Sequence, residues 1–155
     1  MTAGELGGEL ERQGFGYELI AHRPTMAAGE EAVAVGVPPE QVAKTLVLSG
    51  PGGYVRAVLP ASERLDLHKI RELLGGGKET RLATEAELAG AYPMFELGAV
   101  PPFGGPVGDR TIVDRRLAGQ ESVVVDAGSH TESLRIKTRD LLSLTKAELA
   151  DICTD

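Results

Sequence analysis

The sequence is poor in the residue types on which several common kinds of binding site depend. Its 155 residues contain no Trp and no Asn, and only three Tyr and three Phe. A protein that stacks many exposed bases normally displays more aromatic faces than this. We therefore do not expect extended binding of single-stranded nucleic acid.

Cysteine and histidine are also scarce. Cys153 is the single cysteine and cannot form an internal disulfide, which fits a reducing cytosol. The histidines at 22, 68 and 130 have no partners at metal-ligand spacing, so we expect no metal and no other cofactor. The chain also lacks a complete phosphate-binding loop and the G-x-S-x-G motif of serine hydrolases.

Long apolar runs are missing as well. No segment approaches the roughly 20 apolar residues of a membrane span, and the N-terminal segment does not read as a signal peptide. The net charge of −7 argues against wide capture of a phosphate backbone. With 42% hydrophobic and 25% charged residues, we expect one globular domain over residues 1–155, in the cytoplasm, with no membrane or DNA partner.

Hydrophobic spacing and turn residues predict short helices that alternate with strands. We predict helices over 3–13, 27–35, 62–74, 84–92, 138–142 and 145–152, and strands over 17–21, 42–50, 54–60, 111–114, 122–128 and 133–136. The segment 98–108 is rich in Gly and Pro and is predicted to be a loop. This order indicates an α+β fold with a mixed, mainly antiparallel sheet.

Lys44 is unusual because it lies inside the apolar strand VAKTLVLSG. Lysine is depleted in strands and is seldom buried without a reason. Alternation along the strand would place Lys44 on one face with Leu46 and Leu48, and Thr45 on the other. An ordinary interpretation is a strand-edge lysine that extends its ammonium to water; the alternative is a functional lysine.

The Gly-Pro segment and His130 also permit two interpretations each. The loop is either a connector stiffened by proline or a loop whose backbone N–H groups point at a ligand oxygen. His130, in GSHTE, is either an exposed loop residue or a general base. His68, on the predicted helix over 62–74, is expected at the surface.

Several segments occur in an order that is informative as a set. They are HRPT (22–25), GVPPEQV followed by AKTLVL (43–48), LPASERLDLHKI (59–70), GAVPPFG (98–104), TIVDRRL, VVVDAGSHTESLRI and TRDLL. Together they resemble the bacterial aminoacyl-tRNA deacylase family, the YbaK-like or prolyl-tRNA-synthetase-associated editing domain. The resemblance covers residues 15–145.

This resemblance implies a compact, barrel-like mixed α/β unit with helices around its sheet. It implies hydrolysis of the ester that joins a wrong amino acid to the 3′ adenosine of tRNA, without metal or cofactor. The partners would be mischarged tRNA and an aminoacyl-tRNA synthetase. By the same resemblance Lys44 is the catalytic candidate, and the substrate-binding candidates are Thr25, Thr45, Gly98, Ala99, Val100, Pro102, Gly128 and His130.

The expected chemistry follows from the charge that ester hydrolysis develops. Backbone N–H groups of the 98–102 loop would bind the carbonyl oxygen, while the Lys44 ammonium would hold the terminal adenosine and position the ester. The general base would be a hydroxyl of the tRNA acting through water, with His130 as the second candidate.

Substrate identity stays open at this point. The alanine-specific branch of the family usually has Lys-Asn where this chain has Lys44-Thr45, which favours the branch that clears cysteine from tRNA for proline, although Cys and Ala both stay candidates. The alternatives are a non-catalytic module that binds tRNA or a synthetase, a small-molecule esterase, and a structural role.

Overall fold

In the computed structural model, which describes residues 1–105 and 109–155, five α-helices surround one sheet of eight strands. The helices are α1 (Ala3–Arg12), α2 (Ala28–Val35), α3 (Leu67–Leu74), α4 (Glu85–Ala91) and α5 (Thr138–Thr145). The strands are β1 (Tyr17–Ala21), β2 (Val42–Gly50), β3 (Gly53–Pro60), β4 (Arg81–Leu82), β5 (Arg110–Asp114), β6 (Ser122–Ser129), β7 (Glu132–Lys137) and β8 (Glu148–Ala150).

The sheet is mixed and mainly antiparallel, as predicted. Its strand order is β1-β7-β6-β2-β3-β5-β8, and β4 pairs with β2 outside this path. The pairs β1–β7, β6–β7, β2–β3 and β2–β4 are antiparallel, whereas β2–β6, β3–β5 and β5–β8 are parallel. The predicted α+β class is confirmed. The strand that carries Lys44 lies in the interior of the sheet, with β3 on one side and β6 on the other.

Helices cover both faces of this sheet, because its strands place apolar side chains on both faces. On one face, Leu6 and Leu10 of α1 and Leu141 of α5 pack in the largest core cluster. On the other face, Ala32 of α2 packs with Val42 of β2 and Val124 of β6. Helix α2 therefore lies over the place where β2 and β6 run side by side, and it forms part of the site described below.

Three sequence-based predictions about elements were wrong. The helix predicted over 62–74 begins only at Leu67, because the Asp66 side chain caps it by accepting from the N–H groups of His68 and Lys69. The helix predicted over 145–152 is instead the edge strand β8, which pairs in parallel with β5. The two-residue strand β4 was not predicted, since two residues carry no readable period.

Local sequence signals at two element ends were predicted correctly. Thr84 and Glu87 form a capping box at the start of α4, and Gly36 ends α2 in a left-handed conformation with φ of 82°. Of the predicted 98–108 loop, residues 98–105 have no helix or strand, as predicted, and residues 106–108 lie outside the described residues. In the described part of the chain, no helix has the length and apolar character needed to cross a membrane.

Candidate active site

A cavity of about 220 Å³ opens beside the central strand, between α2, β2, β6 and the start of the Gly-Pro loop. Strands β2 and β6 are paired at Val42 and Ala43 and then separate, so the next residue of β2, Lys44, lies where the cavity begins. The cavity brings together five residues proposed from the sequence. They are Thr25, Lys44, Thr45, Gly98 and His130.

Lys44 lies in an interior strand but is paired on one side only, with Leu59 of β3, because β6 separates from β2 after Ala43. Its side chain is half-buried, and its Nζ donates a hydrogen bond to the Glu63 carbonyl oxygen at 2.7 Å. Burial lowers the pKa of Lys44 because it disfavours the charged ammonium. A charged donor held at the wall of a small cavity is suited to binding an oxygen-rich ligand.

Gly98 also lines the cavity and has a conformation that favours glycine, with φ of 82°. A Cβ at this position would lie 3.3 Å from His130 Cε1, so a side chain would press on the histidine ring. The Ala99 N–H already donates to the Glu96 carbonyl oxygen. The Gly98 N–H has no acceptor among the described residues, which leaves it free to bind a ligand oxygen.

His130 is held in place by the loop rather than exposed. Its Nε2 lies 2.6 Å from the Leu97 carbonyl oxygen, and its backbone N–H donates to the Glu96 carboxylate at 2.9 Å. Its side chain is 17% exposed. The Thr25 N–H donates to the His130 carbonyl oxygen at 2.9 Å, which ties the segment before α2 to the turn between β6 and β7.

A pair of carboxyl groups, Glu31 and Asp126, lines the same cavity and was missed by the sequence analysis. Burial, together with the charge and hydrogen bond of Glu31, raises the pKa of Asp126 well above its ordinary value. Burial also raises the pKa of Glu31, although the hydrogen bond from Ser133 and the nearby His22 both act to lower it. We describe the two groups as the carboxyl pair; like charges this close favour sharing a proton.

Residues distant in sequence hold the carboxyl pair. The buried Ser133 hydroxyl donates to Glu31, and its Oγ lies 2.8 Å from His22 Nε2. His22 Nδ1 in turn lies 2.7 Å from the Arg23 carbonyl oxygen. One signal in the sequence could have indicated part of this network: an acidic residue, Asp126, interrupts the apolar run of β6 just as Lys44 interrupts that of β2.

Four of the residues proposed from the sequence do not line this cavity. Val100 lines an adjoining cavity of about 160 Å³, which it shares with Thr45 and Gly98. Ala99 is fully buried, and Gly128 packs against the Phe95 ring. Pro102 lies on a separate cavity of about 570 Å³ beside α1. Only the first part of the Gly98–Pro102 loop therefore reaches Lys44.

Two further observations bear on ligands. Among residues 1–105 and 109–155, no three His, Cys, Asp or Glu side chains come together in a way that could hold a metal ion. The Thr45 hydroxyl is buried and has no hydrogen-bond partner within the same residues. The cavity thus combines a cation, an unused N–H donor and a carboxyl pair, an arrangement suited to a small ligand that is polar at both ends.

Comparisons with known proteins show which family the chain resembles. Residues 22–144 match the family model of the aminoacyl-tRNA editing domain. A protein of Enterococcus faecalis named as a candidate Cys-tRNA(Pro)/Cys-tRNA(Cys) deacylase, EbsC, is 27% identical over 139 residues, which are 89% of this chain and 84% of that protein. A proline–tRNA ligase of Fervidobacterium nodosum is 28% identical over 71% of this chain, a stretch that makes up 19% of the ligase.

A solved structure extends the similarity to the whole fold. The crystal structure described as a candidate trans-editing enzyme for prolyl tRNA synthetase superposes with a TM-score of 0.89 at 33% identity, covering 99% of this chain and 97% of that one. The family inferred from the ordered motifs is confirmed: the chain belongs to the aminoacyl-tRNA editing domain family.

Proposed function

We propose that this protein deacylates mischarged aminoacyl-tRNA as a separate enzyme, and that it releases a small amino acid, Cys or Ala, from tRNA for proline. Membership of the editing family and the names of the similar proteins support deacylation. Such editing is needed because one methylene changes binding by only about 1–3 kcal/mol, so a synthetase cannot exclude small side chains well enough by size.

The observation that carries the proposal is the half-buried Lys44 of an interior strand, which lines the same cavity as Gly98, whose N–H has no acceptor among the described residues. In the proposed complex the Gly98 N–H binds the ester carbonyl oxygen as it gains negative charge. The Lys44 ammonium binds the phosphate or hydroxyls of the terminal adenosine and so positions the ester.

Hydrolysis then proceeds by addition of water. A water molecule attacks the carbonyl carbon, its proton passes to the base, and the ribose oxygen leaves with a proton as the free 2′- or 3′-hydroxyl of tRNA. We assign the base to the neighbouring ribose hydroxyl acting through water. The alternative base, His130, already has its Nε2 engaged with the Leu97 carbonyl oxygen. No metal takes part in the proposed reaction.

The size of the cavity supports a small aminoacyl group. At about 220 Å³ it is smaller than the roughly 300–1,000 Å³ of typical drug-sized ligand sites. Thr45 after the lysine favours Cys over Ala, on the resemblance drawn from the sequence. The substrate is charged tRNA, so we place the protein in the cytoplasm and propose a synthetase as the partner that presents the tRNA.

Replacement of Lys44 tests the proposal. We expect Lys44→Ala to lower the deacylation rate of Cys-tRNA(Pro) by about a hundredfold, because misplaced substrate loses the benefit of orientation. Lys78→Ala is the matched control, since Lys78 is exposed and does not line the cavity. An unchanged rate in a folded Lys44→Ala protein would refute the role of this lysine.

A binding module without turnover is the second candidate, and the net charge of −7, which disfavours capture of free tRNA, is the observation in its favour. The two functions separate in one assay. Release of amino acid from a panel of mischarged tRNAs supports the enzyme, whereas release no faster than in buffer for every pair leaves the binding module.

A further inference from the structure

The carboxyl pair of Glu31 and Asp126 is not used by the mechanism above, although it lines the same cavity as Lys44 and Gly98. Glu31 is 2% exposed, and Asp126 is more open to the cavity. Burying carboxyl groups is costly unless a cation or several donors compensate them. A cationic ligand in the cavity would compensate the cost of burying the two carboxyl groups.

Protein groups satisfy Glu31 better than they satisfy Asp126. Glu31 accepts a hydrogen bond from the Ser133 hydroxyl, which is itself in contact with His22. The neighbouring Glu31 carboxyl is the group whose charge raises the pKa of Asp126, in addition to burial. The Lys44 ammonium donates instead to the Glu63 carbonyl oxygen. Within the described part of the chain the pair thus has no Lys or Arg partner, and the basic side chains near it are His22 and His130, which act on Glu31.

The placement of the pair matches the two ends of an aminoacyl ester. Val42–Val124 and Ala43–Val125 are partners in the parallel ladder, so Lys44 and Asp126 are the next residues on each strand and point to the same face. In a small aminoacyl ester the α-ammonium is the single cation, two bonds from the carbonyl carbon. A carbonyl held at Gly98 would leave that ammonium within the same small cavity.

We propose that Asp126 binds the α-ammonium of the aminoacyl ester. Glu31, which is held by Ser133, acts as a positioning residue and shares one proton with Asp126. This inference rests on the proposed deacylase function and adds to it a requirement for a free amino group. One net negative charge on the pair neutralises one ammonium. The protein would therefore reject esters whose amino group is acylated, as in N-formylated or peptidyl-tRNA.

Binding of two stable probes tests the inference without turnover. The probes are 3′-amino-3′-deoxyadenosine carrying alanine in amide linkage, and the same compound with its α-amino group acetylated. We expect the wild-type protein to bind the free-amino probe about tenfold tighter or more, as befits a charge-assisted contact. In Asp126→Asn the preference should fall to about twofold or less, and Glu31→Gln should reduce it as well.

A carboxylate on the same helix provides the control. Glu30 is exposed next to Glu31, so Glu30→Gln changes the net charge by the same amount and should keep the full preference. Urea unfolding establishes that each variant is folded, and Asp126→Ser replaces Asp126→Asn if the latter is not. The wild-type comparison tests the inference even without a variant.

The outcomes separate this inference from the function on which it rests. Equal binding of both probes by the wild-type protein, or a full preference in Asp126→Asn, would overturn the ammonium subsite and leave the deacylase proposal intact. Binding of neither probe together with no deacylation would overturn both. A preference that is lost with Asp126 and kept in Glu30→Gln supports the subsite.

Discussion

The backbone conformation of Gly98 determines which of its polar groups can reach a ligand. Its positive φ of 82° turns the chain so that its N–H has no acceptor among the described residues, while the neighbouring Ala99 N–H completes a turn. The same conformation brings the backbone against the His130 ring. A residue with a Cβ would be strained here and would also move the histidine.

Gly98→Ala should therefore impair both stability and activity. We expect a loss of about 1–2 kcal/mol in the free energy of unfolding, from the left-handed conformation, and a clear fall in kcat/KM for deacylation. Urea denaturation and a deacylation assay measure the two effects. Gly90→Ala, at an exposed position in the last turn of α4 with open space around it, should instead stabilise by up to about 1 kcal/mol. Equal effects of the two substitutions would contradict this account of Gly98.

At the scale of elements, the carboxyl pair links helix α2 to strand β6. Ala32 packs α2 onto Val42 and Val124, and the next residue toward the N-terminus, Glu31, turns toward Asp126. Two carboxyl groups at such a contact make the docking of the helix depend on their protonation. His22 and His130 are the basic side chains near Glu31, and they act against the rise of its pKa.

This contact predicts how stability varies with pH. The folded pKa of Asp126 is raised above its ordinary value of 3.8, so over the pH range above 3.8 the native state holds a proton that the unfolded chain has lost. Stability therefore falls as pH rises through that range, toward the raised folded pKa. We expect Asp126→Asn to flatten this fall, measured by urea denaturation from about pH 4 to about pH 8.

The control for the pH series is Glu30→Gln, whose curve should run parallel to that of the wild-type protein. Groups that titrate in both proteins cancel in the comparison, so the difference between curves isolates the carboxyl pair. Parallel curves for Asp126→Asn and the wild-type protein would show that Asp126 ionises at its ordinary pKa.

At the scale of the whole molecule, the net charge of −7 sets how a tRNA can be engaged. A surface that neutralised many phosphates would need clustered Lys and Arg, and the loss of affinity with salt would then be steep. A site that binds only the 3′ end of tRNA makes few phosphate contacts. The acidic chain is better suited to recognise the terminal aminoacyl-adenosine than the body of the tRNA.

The salt dependence of the reaction tests this view. Raising salt from about 50 to about 200 mM should lower kcat/KM for free Cys-tRNA(Pro) by less than about tenfold, as expected for one or two phosphate contacts. Aminoacyl-adenosine without phosphates serves as the control and should show almost no change. A loss of a hundredfold or more for the tRNA would indicate a broad phosphate-binding surface instead.

Much of the fold follows from local sequence. The strand over 42–50, the capping box at Thr84 and the left-handed Gly36 were all predictable, since each depends on residues within one turn or strand. The C-terminal strand β8 was not, because it forms only against β5, more than thirty positions earlier in the chain. The start of α3 was missed because its cap, Asp66, also lies within the predicted helix.

In the site, too, some features follow from local sequence and others only from tertiary structure. The sequence by itself determined that a lysine interrupts an apolar strand and that a Gly-Pro loop follows later, and the order of these segments was enough to predict the family. Tertiary structure alone decided that β2 and β6 separate just after Ala43, so that Lys44 and Asp126 share a cavity. It also decided that Ser133 reaches Glu31. The pairing of β2 with β6 joins residues as far apart in the chain as Val42 and Val124, and no local pattern encodes which strands meet.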